Sequence, residues 1–196
     1  MIMIETRDKI LDAVFTDVRR NGFQGLRADK VIQHLGITKG ALYHYFDTKY
    51  SLGYAVVDEL LEPLYTRPFN ELLTEDGDPI AQLIHLLDIH QSMINTETVR
   101  LGCPLNNLIQ EMSPIDEGFR TRLQRVLEHM HTRLVAALER GKQAGQVRSG
   151  IPSEAQAYLF LSSLEGAYSM AKVNKSEALF IAIIDQLKEL VKSWRP

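Results

Sequence analysis

A single glycine, Gly36, separates two short stretches of helical hydrophobic spacing, and this limits what residues 26–52 can become. Val31, Ile32 and Leu35 form an apolar stripe suited to a helix of about two turns. Gly36 can take the left-handed backbone that ends such a helix, and Ile37 can bury the turn. Thr38 then offers a side-chain oxygen to the free N–H groups of a second helix. Leu42 and Phe46, four apart, face inward together, which turns Tyr43 and His44 outward. Gly40 costs helix propensity, about 1 kcal/mol against alanine. A missing side chain there is accounted for if the backbone must come close to another surface. Helix, glycine turn and helix is a recognised supersecondary unit, the helix-turn-helix.

The second helix is a short rod with an apolar back, a polar front and lysines at both ends, Lys39 and Lys49. Such a rod suits the DNA major groove. Lys39, Tyr43, Lys49 and the backbone at Gly40 are the candidates for phosphate contact, and Thr38 and His44 for base or phosphate bonds. Arg27, at the head of the preceding helix, joins this DNA-binding set. The run from Gly22-Phe23 through Leu35-Gly36-Ile37-Thr38-Lys39-Gly40-Ala41-Leu42-Tyr43-His44-Tyr45-Phe46 to Lys49-Tyr50-Ser51-Leu52 resembles the DNA-binding domain of the TetR family of transcriptional repressors. Two departures stand out. Leu26, Arg27 and Ala28 occupy the start of the preceding helix, where Ser or Thr is usual, and Ile32 replaces a small residue. The resemblance implies operator contact at the positions just named. It also implies a helical body domain that binds a small-molecule inducer.

The formal charge of the chain is −3, but its distribution matters more than its sum. Residues 1–54 hold eight Lys/Arg against six Asp/Glu, and the remainder holds 14 against 19. A mildly basic head on an acidic body can hold phosphates locally while the body stays in solution. One cysteine, Cys103, excludes an intramolecular disulfide. The first residues lack the charged and apolar regions of a signal peptide, and no apolar run nears the roughly 18 residues that span a bilayer. A cytoplasmic protein without a membrane segment is expected.

Hydrophobic spacing places further helices along the whole chain, so the expected fold is all-α. The first runs from about residue 3 to 21 and stops at Asn21-Gly22. Asp47 or Thr48 caps a helix that continues through Leu61, with Pro63 and Pro68 limiting or kinking it. That helix is the natural lever between head and body. Asp78-Pro79 opens a helix reaching about residue 96, where Thr96-Glu97-Thr98 begins a turn. Cys103-Pro104 starts another, closed by Ser113-Pro114, and a long helix spans about 116 to 144. Ser153-Glu154-Ala155-Gln156 and Asn174-Lys175-Ser176-Glu177 read as capping boxes for the last two helices. The final helix is apolar over more than one face, which marks an interface. The expected domains are residues 1–47, a three-helix DNA-binding unit, and residues 48–196, for ligand binding and dimerisation. A homodimer is expected through helices at about 153–172 and 176–194. It would set two reading helices roughly one turn of DNA, about 34–36 Å, apart on a near-palindromic operator.

The body is rich in adaptable and aromatic residues: Tyr65, Phe69, His85, His90, Met93, Met112, Phe119, Met130, Tyr158 and Tyr168. A mostly apolar cavity with a few polar groups is the usual small-ligand site. The expected ligand set is Tyr65, His85, His90, Met93, Cys103, Met112, Phe119, Met130 and Tyr168. Cys103 stands at a helix start, where the dipole favours a thiolate, and Lys172 is its candidate cationic neighbour. The segment Gly102-Cys103-Pro104-Leu105-Asn106-Asn107-Leu108 resembles the body domain of TetR relatives, some of which sense electrophiles or oxidants through a cysteine here. The competing reading makes Cys103 a small buried apolar residue. His129 and His131 are two apart and His85 and His90 five apart, poor spacings for a metal. No metal, cofactor or catalytic triad is expected. The reading favoured is a repressor released from its operator by a small inducer or by thiol modification. A constitutive DNA-binding dimer, or an all-α enzyme acting on a small hydrophobic substrate, remains open at this point.

Overall fold

The computed structural model describes residues 6–196, and no strand occurs among them. In chain order the helices are α1 (Thr6–Gly25), α2 (Ala28–His34), α3 (Lys39–Tyr45) and α4 (Lys49–Ala55). A π-helical segment, Val56–Leu61, follows, then α5 (Glu62–Leu72), α6 (Pro79–Met93), α7 (Thr96–Leu101) and α8 (Pro104–Met112). The last three are α9 (Glu117–Gln143), α10 (Ser153–Asn174) and α11 (Glu177–Lys192). The all-α expectation holds. The expected start of the first helix near residue 3 lies outside the described residues.

The chain divides into two compact units. One takes residues up to Pro63 together with Pro104–Gln124; the other takes Leu64–Cys103 and Arg125–Pro196. The expected boundary at 47/48 falls inside the first unit. Aromatic packing ties in its later segment. Phe119, from the start of α9, packs edge-on against Phe23 (centroids 4.6 Å) and Tyr54 (5.1 Å), so this later segment helps to build the core of the first unit. Gly53 completes the fit, because a β-carbon there would collide with the Phe23 and Phe119 rings.

Within the first unit, Ile10, Leu11, Val14 and Val18 bury one face of α1, with Leu26, Ile32, Leu42, Phe46 and Leu52 also in the core. The helical spacing of the α1 residues places them on one stripe. Gly22 takes φ 75°, so the helix breaks there, as Asn21-Gly22 suggested. The Glu111 carboxylate of α8 then accepts bonds from the backbone N–H of Phe23 (2.9 Å) and Gln24 (2.8 Å). It replaces the helix partners that those groups lose at the break. Tyr54 donates to Asp116 (2.8 Å), which also accepts from the Phe119 N–H ahead of α9 (2.8 Å).

Five local expectations need correction or narrowing. Leu35 is 41% exposed rather than buried, because α2 has only seven residues and Leu35 is its outward-facing C-cap. Of the two outcomes expected at Pro63 and Pro68, limiting or kinking the helix opened by Thr48, the first does not occur. The helix passes through the π segment and continues to Leu72 with Pro68 inside. Proline removes one helix bond at each site, and the wider π turn lies immediately ahead of this stretch. Residues 96–101 form the short helix α7 rather than a turn, since Asn95 caps it by accepting from Thr98 N–H (3.0 Å). Ser153 does not cap α10: Pro152 holds that position without a side-chain bond, and Ser153 is buried in the first turn. At the second proposed box the cap is Ser176, which accepts from Leu179 N–H (3.1 Å), while left-handed Lys175 separates it from α10.

In the second unit, α11 packs against α10 and α6. Phe160, Leu164, Ala167 and Ala171 from α10 and Phe180, Ile184, Leu187 and Val191 from α11 are buried, with Trp194 behind them. Alanines where helices meet permit close approach. The outer surface of this pair is not polar throughout. Tyr158, Leu159, Met170, Val173 and Ile181 are exposed there.

Candidate functional site

Two places combine candidate chemistry with defined geometry, one in each unit. The first is the N-terminal half of α3. Thr38 caps it, accepting from Ala41 N–H (3.2 Å). Leu42 and Phe46 are buried, so the opposite face, with Lys39, Gly40, Tyr43 and His44, is exposed. Tyr43 is 43% exposed, and Tyr45 beside it is exposed too. A β-carbon at Gly40 would meet only Thr38 Oγ1, at 3.9 Å. No packing among the described residues therefore demands glycine there.

The cations of this face are not equivalent. Lys39 Nζ lies 3.0 Å from Asp29 of α2 and 5.6 Å from the Tyr43 ring centroid. The hydrogen bond and charge of Asp29 raise its pKa. Lys49 is turned inward: its ammonium donates to the Gln24 carbonyl (3.0 Å) and lies over the Phe23 ring (5.0 Å). Gln24 is thus held twice, through its N–H by Glu111 and through its C=O by Lys49. Arg27 is exposed at the N-cap position of α2 and makes no side-chain cap bond, as its difference from Ser or Thr foretold. It lines a shallow surface cavity with Asp17, Asn21, Gly25, Lys30, Val31 and His34. Lys30 of α2 and Tyr45 of α3 are exposed as well.

The second place is around Cys103, a free and buried thiol with 4% exposure. The Tyr65 hydroxyl lies 3.0 Å from its sulfur. The same thiol bears on the carboxyl of Glu165 on α10 and holds its pKa down against the effect of burial. Tyr168, one turn further along α10, places its hydroxyl 2.8 Å from His90 Nδ1 of α6. Burial pushes His90 down to about 4 and Glu165 up to about 7. Burial, aided by Cys103 and Glu165, raises Tyr168 as well. Tyr65, His90, Cys103 and Tyr168 from the expected ligand set therefore share one polar cluster of the second unit, and Glu165 is the member that sequence reasoning missed. A glutamate set in mid-helix among small and apolar residues, Ser163-Leu164 before it and Gly166-Ala167 after it, was its signal.

The rest of that set is scattered. Met130 is buried in the second unit, whereas Met112 and Phe119 are core residues of the first. His85 and Met93 are exposed, Met93 by 54%, because Ile80, Leu83, Leu86 and Leu87 occupy the buried face of α6. Those two leave the set of interior candidates. Lys172, expected beside the thiol, is exposed and lines a shallow cavity with Arg100, Lys175 and Glu177. His129 bonds Asn70 (2.9 Å), and His131 stacks on Tyr158 (3.9 Å). No group of three metal-ligating side chains occurs among the described residues, and no helix there is long and apolar enough to cross a membrane.

A capped reading helix with an exposed polar face, preceded by a short helix and a glycine turn at φ 68°, defines a helix-turn-helix DNA-binding regulator. Family profiles agree. The profile for bacterial regulatory proteins of the tetR family matches residues 10–56, and that for the tetracyclin repressor-like C-terminal domain matches residues 79–194. The chain belongs to the TetR family of transcriptional regulators. It is 26% identical over 183 residues to an HTH-type transcriptional regulator in the lacX 3′ region of Lactococcus lactis, covering 93% of this chain and 91% of that one. It is 27% identical over 169 residues to the transcriptional regulator AcuR of Cereibacter sphaeroides, covering 84% and 75%. The crystal structure of reduced Escherichia coli NemR superposes with a TM-score of 0.83 at 22% identity, covering 94% of this chain and 95% of that one.

Proposed function

We propose that this regulator is a homodimeric, cytoplasmic repressor of a near-palindromic operator, released by a small molecule or by modification of Cys103. The observation that carries the DNA half is the exposed face of α3, with its unfilled space at Gly40 and its buried back at Leu42. Thr38, Lys39, Gly40, Tyr43 and His44 meet the duplex, with Arg27 on the flank. Lys49 acts in a second way, by fixing the start of α4 to the Gln24 carbonyl. The apolar residues exposed on α10 and α11 support pairing of two copies through these helices. Apolar surface left on a helix pair is covered by a second copy at low cost in specificity, since a two-fold contact needs one patch only.

The regulatory half rests on the polar cluster around Cys103. The hydroxyl, imidazole and thiol groups of Tyr65, His90, Cys103 and Tyr168 are the hydrogen-bonding partners of a small, largely apolar ligand in this reading. Cys103 is followed at once by Pro104, the first residue of α8, and α8 carries Glu111, which holds the end of α1. A ligand that favours a different setting of α8 therefore bears on α1 and, through Gln24 and Lys49, on α4. Release requires that the ligand bind the two settings unequally.

Gel shift and footprinting on the DNA flanking the protein's own gene test the reading, with mass measurement of the free protein in solution. A protected near-palindrome and a dimer are expected. A monomer that ignores every flanking duplex at low salt refutes it. Adding candidate ligands to the same assay separates a responsive repressor from a constitutive binder.

A further inference from the structure

The π-helical segment Val56–Leu61 carries two acids side by side, Asp58 and Glu59, and each holds an arginine from a different element. Its wider turn is closed by the Glu62 N–H, which donates to the Val57 carbonyl five residues back. Val56, Val57 and Leu61 are buried, so packing fixes the inner face of the segment. On one side Asp58 accepts from Arg122 Nε of α9 at 2.9 Å. Arg122 is itself held, over the Tyr54 ring at 4.2 Å and by donation to the Gly118 carbonyl at 3.0 Å. On the other side Glu59 accepts from both terminal nitrogens of Arg7 in α1, Nη1 at 2.6 Å and Nη2 at 2.5 Å. Two parallel bonds between planar groups fix orientation as well as distance. The hydrogen bond from Arg7 holds the Glu59 carboxyl below the usual carboxylate range, so the pair keeps its charge at neutral pH.

Arg7 carries this constraint to α3. Its guanidinium lies over the Phe46 ring, 5.1 Å from the centroid. Phe46 is the C-cap of α3 and is 4% exposed, and its N–H donates to the Leu42 carbonyl at 2.9 Å. A helix of seven residues has little stability of its own. The seat of its C-cap therefore bears directly on how Tyr43 and His44 are presented.

We propose that Glu59 is a positioning residue for DNA reading: through the planar fork of Arg7 it seats Phe46 and so sets the angle of the outer face of α3. This rests on α3 as the reading helix. A pair that only stabilised the fold gives the opposite sign on removal of the acid. Glu59→Gln makes the head more positive, which strengthens binding to any duplex. A positioning role makes binding to the preferred sequence fall while binding to unrelated duplex holds or rises.

The test uses full-length protein and two duplexes. One is enriched from a random pool by wild-type protein; the other has the same length and composition with that sequence scrambled. Dissociation constants are read by fluorescence anisotropy at one salt concentration. An exposed ion pair is worth up to about fivefold in an equilibrium constant. Glu59→Gln should therefore bind the enriched duplex about fivefold more weakly for each head engaged, and the scrambled duplex at least as tightly as wild type. The Glu59 side chain is 42% exposed, so glutamine fits without repacking. Arg7→Lys keeps the charge and loses the fork. It should show the same loss on the enriched duplex and no change on the scrambled one. Hydrogen exchange of the free proteins gives a readout without DNA. Amides of α3 and Phe46 should lose protection in both variants, while those around Val14 in α1 keep theirs. An unchanged ratio between the two duplexes overturns the positioning role, and so does α3 exchange that matches wild type. Wild-type protein that enriches no sequence removes α3 as a reading helix and the positioning role with it, an outcome distinct from the other two.

Discussion

Removing the Glu111 carboxylate should loosen the end of α1 by an amount that the structure sets. Glu111 accepts from Phe23 N–H at 2.9 Å and from Gln24 N–H at 2.8 Å. Bonds to a charged acceptor are worth about 1.5–3 kcal/mol each when solvent is excluded. Both lie partly open to water, so about 1 kcal/mol each is the better figure. Glu111→Ala should then cost about 2 kcal/mol, and Glu111→Gln, which keeps one acceptor oxygen, about half of that. Gly22 sharpens the argument. A β-carbon there would sit 2.8 Å from Glu111 Oε1, and its φ of 75° disfavours any side chain. Gly22→Ala should therefore cost less in the Glu111→Ala background than in the wild type, because the collision has gone and only the backbone strain remains. Urea unfolding of the four proteins gives the coupling directly. A Glu111→Ala protein within about 0.5 kcal/mol of wild type, or strictly additive double-variant costs, would refute the clamp.

Three further outcomes are expected. His90 has its pKa lowered from 6.5 to about 4, so its contribution is complete above pH 6.5 and is lost as pH falls toward 4, by about 3 kcal/mol at most. Glu165 has its pKa raised from 4.5 to about 7, so its contribution is complete below pH 4.5 and is lost as pH rises through 7. The two oppose each other. Glu165→Gln should therefore show a steeper acid loss of stability than wild type, and parallel urea midpoints across pH 4–7.5 would count against it. Lys39→Ala should weaken operator binding, and the slope of log affinity against log salt should fall by about one unit, measured by fluorescence anisotropy. Lys175 ends α10 at φ 50° and ψ 43°. Lys175→Gly should raise stability by up to about 1 kcal/mol in thermal unfolding, since glycine bears no penalty in that conformation.

The DNA-binding unit was legible because its signals are local. A cap at Thr38, a turn at Gly36 and an inward pair at Leu42 and Phe46 act over a few residues, and each appears in the structure as read. What escaped depends on residues far apart in the chain. Phe119 joins the N-terminal core across 96 positions, which no periodicity reveals. Asp29 occupies Lys39 and Gln24 occupies Lys49, so two expected phosphate contacts already have partners. The body-domain candidates were chosen by residue type, and type does not say which way a side chain faces. His85 lies on the outer face of α6 and His90 inside, although both are histidines on one helix. Glu165 was passed over because a carboxylate on an apolar helix reads as surface until a buried thiol is found against it.

The ion pair between Lys39 and Asp29 makes the protein a rival to its own target. A phosphate that claims Lys39 must displace a carboxylate 3.0 Å away, so what the lysine gains is only a difference between two anions. Stray polyanions that offer an isolated charge then have little to win at this position. A duplex that also satisfies Thr38, Tyr43 and the backbone at Gly40 can make the exchange worthwhile. On the proposed reading, the preference for a well-fitted duplex over an isolated anion thus begins with an acid on the neighbouring helix that never needs to touch a base.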